Sequence, residues 1–144
     1  MPLSTDWTAL KSKIDGLAAS GNTNTTIGLI WGWNMLTPGS PLSNGADPAA
    51  NLDKVIVYMT DGSNTENRFS SNQSAIDARM ALACTAVKAD NIKIYTIRLM
   101  DGNATLLRNC ATEPGMYYSV TAASQLDSVF ASIAQALSNL RVSQ

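Results

Sequence analysis

The chain has 144 residues and a formal net charge of −1, and nearly half of its residues are hydrophobic. That length can bury one hydrophobic core, so we expect residues 1–144 to form a single domain. The scattered basic residues argue against a nucleic-acid surface, which needs clustered lysine and arginine. The absence of histidine excludes Ser-His-Asp and Cys-His catalytic arrangements and most zinc sites.

The sequence shows neither a membrane span nor a signal peptide. No segment has the run of about 18 apolar residues that crosses a bilayer. Residues 1–6 lack the basic flank and the apolar stretch of a secretion signal. We therefore expect the chain as given to be soluble.

Two helices are predicted in the first third of the chain. Thr5 or Asp6 can cap the first, whose apolar residues recur at helical spacing as far as Leu17, and Gly21 is expected to end it. The second helix is predicted over residues 25–36. Its apolar residues face more than one side, so we expect this helix to be largely buried.

The rest of the chain alternates strand patterns with helix patterns. Residues 54–60 form a continuous apolar run, which is typical of a parallel strand covered on both faces. Alternation of this kind predicts an open, parallel α/β sheet. In chain order, the strands are predicted over residues 54–60, 92–99 and 116–120, and the helices over 72–90, 104–110 and 123–140.

Two polar segments are candidates for function. Asp61 directly follows the first predicted strand, and ligands of open α/β sheets bind at the carboxyl ends of the strands. A carboxylate there suits Mg²⁺, but Asp61 and Gly62 also form a common turn, and the spacing alone favours the turn. The loop at residues 21–25 either caps the second helix or supplies metal ligands. From the residues alone, both alternatives remain open.

Part of the sequence resembles the second half of a von Willebrand factor A-type domain. The resemblance lies in the loop at residues 22–25, in the helix after it, and in the strand at residues 54–60 with Asp61 directly following. That family builds a metal-ion-dependent adhesion site (MIDAS) from an Asp-x-Ser-x-Ser loop, a threonine and an aspartate. The resemblance implies that Thr23 and Asp61 match the threonine and the aspartate. It also implies a doubly wound, Rossmann-like sheet of about three strands flanked by helices.

The sequence departs from the family in one important respect. It contains no Asp-x-Ser-x-Ser segment, and the first three strands and first helix of an A domain have no counterpart. We therefore expect the C-terminal portion of such a domain. Thr23 and Asp61 alone supply too few ligands for a tight Mg²⁺ site. We expect weak metal binding or none by this chain, with Mg²⁺ or Mn²⁺ bound in a full-length domain.

A narrower resemblance is to the C-terminal region of TadG-type proteins, which belong to the tight-adherence (Flp) pilus assembly machinery of bacteria. It implies an inner-membrane anchor elsewhere in the protein, a periplasmic location for this region, and protein partners within the pilus machinery. The matching segments are residues 2–3, 21–25, 31–33, 36–39, 59–65 and 107–111.

Three functions follow from these observations. The first is a non-enzymatic binding or scaffold module of pilus assembly. The alternative is an adhesion domain that binds a partner's carboxylate through Mg²⁺ at a MIDAS-type site. The third is catalysis by Asp61, Glu66 or Asp101, but no pattern pairs these acids and no nucleophile motif accompanies them. We therefore predict that the chain is not an enzyme.

Two cysteines, Cys84 and Cys110, match no redox motif and cannot form a structural zinc site. Each is predicted in a helix that links successive parallel strands, and such helices lie on one face of the sheet. A disulfide is therefore geometrically plausible, and two buried free thiols are the alternative. The periplasmic location that the resemblance implies favours the disulfide.

The absent first strand of an A domain would lie beside residues 54–60. We therefore expect an unpaired apolar sheet edge at Val55 and Val57. Such an edge invites another chain, so the sequence predicts self-association, most simply as a two-fold dimer that buries the edge or exchanges a helix.

Overall fold

The computed structural model describes residues 4–18, 20–43, 45–49 and 52–142. Over these residues it is an α/β structure with a three-stranded parallel sheet in the order β1-β2-β3. The predicted fold class is therefore confirmed. The strands are β1 (Lys54–Thr60), β2 (Ile92–Leu99) and β3 (Tyr117–Val120), and the helices are α1 (Trp7–Asp15), α2 (Thr25–Leu36), α3 (Gln73–Ala89), α4 (Ala104–Cys110) and α5 (Leu126–Val142).

Side-chain caps fix where three of the helices begin. Asp6, Asn72 and Asn103 each accept a hydrogen bond from a backbone N–H in the first turn of α1, α3 and α4, at 3.0, 3.0 and 3.1 Å respectively. These bonds satisfy donors that have no partner within the helix. Asn91 has φ +57° and turns the chain from α3 into β2.

Several predicted boundaries were wrong by one residue or more, and three of them are informative. The first helix ends at Asp15 and not near Gly21, which has φ +85° in the loop that follows. β3 begins at Tyr117 because Met116 closes a short 3-10 turn, with its N–H 2.9 Å from the carbonyl oxygen of Glu113. α5 begins at Leu126 and not at residue 123, because another 3-10 turn, Ala123–Gln125, precedes it.

The sheet separates two hydrophobic cores. On one face, β1 and β2 pack against α2, α3 and α4. On the other face, β2 and β3 pack against α5, where Val129 and Ile133 are buried. Successive residues of a strand point to opposite faces, so β2 serves both cores: Ile92 and Ile94 face the first, and Tyr95, Ile97 and Leu99 face the second.

β1 is covered on one face only, which corrects the expectation of a strand buried on both. Ile56 and Tyr58 are buried beneath the helices, whereas Val57 and Met59 are 40% and 47% exposed on the opposite face. Since α5 packs mainly on β2 and β3, it shields Val55 at the start of β1 but not the remainder of that face.

α2 is also less buried than its sequence predicted. Leu29 is fully buried, and Gly32 lies so close to β1 that an added Cβ would be 3.7 Å from the Ile56 side chain. Ile27, Trp31 and Met35, however, are about half exposed. The helix packs on β1 and α3 through one side, and nothing in the described part of the chain covers its outer apolar stripe.

Cys84 of α3 and Cys110 of α4 form a disulfide, as predicted. Their Cα atoms are 5.2 Å apart and both residues are buried. Beside the bond, the Lys88 ammonium donates to the carbonyl oxygen of Asn109 at 2.8 Å. The disulfide therefore joins two neighbouring helices over one face of the sheet.

β1 forms an edge of the described sheet, with β2 on its inner side. The chain exposes 9410 Å², whereas a compact monomer of 15.3 kDa exposes about 7,100 Å². Part of this surface is apolar and lies on α1 and just beyond its end: Trp7 and Ile14 of α1 and Leu17 after it are 64–79% exposed. Among the described helices, none is both long and apolar enough to cross a membrane.

We expect replacement of both Cys84 and Cys110 by alanine to lower the free energy of unfolding by about 2–4 kcal/mol, because the bond restricts the unfolded chain. Urea denaturation with and without reductant measures the effect, and reductant should leave the double variant unchanged. Non-reducing mass spectrometry should find the parent chain two hydrogens lighter than its reduced form. Two titratable thiols per denatured parent chain would contradict the prediction.

We expect the isolated chain to self-associate through the open edge of β1, because Val57 is exposed there beside unpaired backbone groups. Light scattering at micromolar concentration should give about twice the monomer mass. Val57→Lys should shift the population to monomer. Leu82→Lys is the matched control, since Leu82 is 72% exposed but lies on α3. A well-folded parent monomer at these concentrations would refute self-association.

Candidate functional site

The loop at the carboxyl end of β1 contacts the loop that precedes α2 and also approaches the loop after β2. The Thr65 N–H donates to the carbonyl oxygen of Thr23 at 3.0 Å, and the Thr23 N–H donates to Thr65 Oγ1 at 2.8 Å. These two bonds hold the loop before α2 against the loop after β1. The structure therefore brings the backbone of Thr23 to the segment that begins with Asp61.

The two predicted metal ligands, Thr23 and Asp61, have different surroundings. Thr23 is half-buried and Asp61 is exposed, and Asp61 makes no hydrogen bond or ion pair with another described residue. Among the described residues, no group of three or more His, Cys, Asp or Glu side chains is positioned to hold a metal. Two ligands do not fit the octahedral oxygen shell of Mg²⁺.

A chain of hydrogen bonds lies beneath this surface. Asn64, which is 5% exposed, accepts from the N–H and the hydroxyl of Thr25 through Oδ1 at 2.9 and 2.8 Å. Its Nδ2 donates to Asp77 Oδ1 at 2.7 Å, and Asn103 Nδ2 donates to Asp77 Oδ2 at 2.8 Å. The network joins the starts of α2, α3 and α4 to the loop after β1.

A buried tyrosine and a methionine lie below the network. The Thr25 hydroxyl is 3.3 Å from Met80 Sδ, and the Tyr58 hydroxyl is 3.7 Å from the same sulfur. Burial raises the pKa of Tyr58 to about 12, and the negative charge of Asp77 adds to this effect, while a hydrogen bond with Thr25 opposes it. Tyr58 is therefore neutral near pH 7 and serves as a packed hydrogen-bonding group.

The space beside this network is small. A cavity of about 10 Å³ has room for one water molecule and not for a substrate. Its lining includes Thr60 and Gly62 together with the network residues Asn64 and Asp77.

The three acids considered for catalysis have separate surroundings. Glu66 accepts a hydrogen bond from Asn22, Asp101 accepts the N–H of Gly102 at 2.7 Å, and Asp61 is exposed. The structure gives none of them a nucleophile or a proton-transfer partner among the described residues.

The sequence did not identify Asn64, Asp77 or Asn103 as partners. Asn103 carried a local signal, since asparagine before a helix is a common cap. Asp77 carried a weaker one, because it lies three residues before the buried Met80 and seven before the buried Cys84, on the apolar side of α3. Nothing local indicated that the three would meet.

Asp77→Ala should destabilise the fold by about 1–3 kcal/mol, because the nearly buried Asn64 loses its acceptor while Asn103 loses a second bond. Urea denaturation provides the measurement. Asp61→Ala is the control and should change stability by less than about 0.5 kcal/mol, since that side chain is exposed. Equal stability of both variants would show that the network contributes nothing.

Comparisons with known proteins find likeness in fold. No protein-family model and no curated protein matches the sequence. Proximal thread matrix protein 1 from the mussel byssus superposes on 85% of this chain, with a TM-score of 0.61 and 19% identity. The pilus adhesin SpaC from Lactobacillus rhamnosus GG covers 92%, with a TM-score of 0.67 and 12% identity. A structure of the mussel protein with a zinc-occupied MIDAS motif covers 85%, with a TM-score of 0.57 and 18% identity.

The likeness is confined to part of each neighbour. The chain spans 29% of the mussel protein and 21% of the pilus adhesin. At these identities the comparison concerns the fold alone. It supports a von Willebrand A-like fold for this chain.

Proposed function

We propose that the chain is the C-terminal part of a von Willebrand A-type domain and acts as a non-enzymatic binding or scaffold module of bacterial tight-adherence pilus assembly. The A-like fold supports the domain type, and the segments that resemble TadG-type proteins support the pilus system. The Cys84–Cys110 disulfide supports a location outside the cytoplasm, because such bonds persist in oxidising compartments.

The observation that carries this proposal is the position of Thr23 and Asp61 beside an open strand edge. The loop of Thr23 is hydrogen-bonded to the loop that Asp61 begins, and both loops lie where β1 ends. β1 has an unpaired outer side where a further parallel strand fits. In the proposed domain that strand leads into the Asp-x-Ser-x-Ser loop and supplies the ligands that this chain lacks.

Two polar atoms near Thr23 that have no hydrogen-bond partner within the described part of the chain support an additional segment beside β1. Asn24 Oδ1 and Thr26 Oγ1 are shielded from solvent and have no hydrogen-bond partner among the described residues. Shielded polar atoms are nearly always paired in folded proteins. A strand and loop added beside β1 would bring backbone and side-chain donors to this end of the sheet.

The alternative function is Mg²⁺-dependent adhesion through a completed MIDAS-type site. The same placement of Thr23 and Asp61 favours it, as do neighbours that are named a pilus adhesin and a matrix protein with a zinc-occupied MIDAS motif. In both cases the chain is a binding module. The two functions differ in whether partner binding in the intact protein requires a divalent cation.

Calorimetric titration with Mn²⁺ tests the domain assignment. The chain alone should show no saturable binding below about 1 mM, because two ligands are too few. Co-expression with an upstream segment that carries Asp-x-Ser-x-Ser should produce a stable complex with micromolar binding. Asp61→Asn should weaken that binding at least about tenfold. Asp101→Asn is the matched control, since Asp101 lies at the carboxyl end of β2 as Asp61 does for β1.

Two results would contradict this assignment: micromolar Mn²⁺ binding by the chain alone, or failure of the upstream segment to pair with it. Binding of the completed domain to purified pilus-machinery proteins, measured with and without EDTA, then separates the two functions. Binding that survives EDTA supports a scaffold, and binding that EDTA abolishes supports Mg²⁺-dependent adhesion.

A further inference from the structure

An aromatic side chain projects from the turn between β1 and α3. Phe69 is 76% exposed, although hydrogen bonds fix its backbone. Asn67 and Ser70 form an isolated antiparallel bridge, with N–H to carbonyl oxygen distances of 2.9 and 3.3 Å. Asn67 Oδ1 also accepts the N–H groups of Phe69 and Ser70, each at 2.8 Å. The turn is therefore held by these hydrogen bonds and not by burial of the Phe69 ring, which is exposed to solvent.

Two guanidinium groups lie against this ring. The Cζ atoms of Arg79 and Arg68 are 5.1 and 5.9 Å from the ring centroid of Phe69, within the range of a cation–π interaction. Arg79 also donates to Asn67 Oδ1 at 3.3 Å. One of these arginines belongs to the turn and the other to α3, so guanidinium groups from two elements lie near the ring.

The nearest carboxylates in sequence are bonded elsewhere. Glu66, two residues before Arg68, accepts from Asn22, and Asp77, two residues before Arg79, accepts from two asparagine amides. Within the described part of the chain, the recorded ion pair joins Lys93 to Asp53 at 2.7 Å. Neither guanidinium therefore forms an ion pair with a described carboxylate.

We propose that Arg68, Phe69 and Arg79 form a docking surface, named here the Arg–Phe surface, for an acidic segment of a partner protein. An apolar side chain of that segment packs on the Phe69 ring, and a neighbouring carboxylate accepts hydrogen bonds from the guanidinium groups. Exposed aromatic and arginine side chains are the residue types that dominate binding energy at protein interfaces.

The charge distribution favours a carboxylate-bearing protein over a polyanion. The planar guanidinium matches a carboxylate in a two-point hydrogen bond. A nucleic acid or an anionic membrane requires a broad basic area, whereas this chain has a net charge of −1. The proposal rests on the chain being a binding module, but the Arg–Phe surface requires no metal.

Selection from a random dodecapeptide library displayed on phage, in the presence of EDTA, tests this proposal. Enriched sequences should combine Asp or Glu with an apolar residue. For the synthesised peptides, fluorescence anisotropy should show about tenfold or more weakening by Phe69→Ala and several-fold weakening by Arg68→Gln or Arg79→Gln. Arg79→Lys, which keeps the charge but loses the planar fork, should recover part of the affinity.

Two matched controls should leave affinity unchanged. Trp7 on α1 has the same exposed fraction as Phe69, 76%, so Trp7→Ala tests for non-specific apolar contact. Arg108 lies 5.0 Å from the Tyr117 ring centroid, so Arg108→Gln removes a comparable arginine–aromatic pair elsewhere. Circular dichroism confirms that each variant is folded.

Three results would overturn the proposal: enrichment without acidic residues, equal affinity of Phe69→Ala, or variant-sensitive binding of heparin or phosphatidylserine vesicles in place of peptides. Because EDTA is present throughout, these outcomes are independent of the metal site. Failure here therefore leaves the proposed domain assignment standing, and failure of the Mn²⁺ titration leaves the Arg–Phe surface standing.

Discussion

Parallel pairing of β1 with β2 and of β2 with β3 is the constraint on which the rest of the structure depends. Parallel strands require a long connection that returns the chain to the start of the sheet. Here α3 and α4 make those connections on one face, which brings Cys84 within bonding distance of Cys110. The same pairing places the carboxyl ends of β1 and β2 side by side, next to the candidate site.

Unequal covering of the sheet explains the character of the surface. β2 is central and buried on both faces, so it carries apolar residues on each. β1 uses the same kinds of residue, but a helix layer covers only one of its faces. The uncovered Val57 and Met59, together with the outer stripe of α2, leave apolar area that a compact monomer would bury.

At the carboxyl ends of β1 and β2, a buried hydrogen-bond network lies beneath solvent-exposed side chains. Below, the hydrogen bonds of Asn64 and Asp77 satisfy buried groups and fix the relative positions of three helices. Above, Asp61 and Phe69 face solvent. Both carboxylate oxygens of Asp77 accept from asparagine amides, and Asp77 forms no ion pair with Arg79. The arrangement that stabilises the fold thus leaves charge available at the surface.

The sequence by itself determined the bounds of α2, α4, β1 and β2, because apolar periodicity, caps and turn residues act within a few positions of one another. It also indicated the cysteine pair and the two-loop candidate site. Only the tertiary structure decided which faces are covered, and so the burial predicted for α2 and for both sides of β1 was wrong. Likewise, Asn64 and Asn103 share Asp77 as an acceptor although 39 residues separate them. Burial and long-range hydrogen bonding depend on which segments the sheet brings together, and no local pattern contains that information.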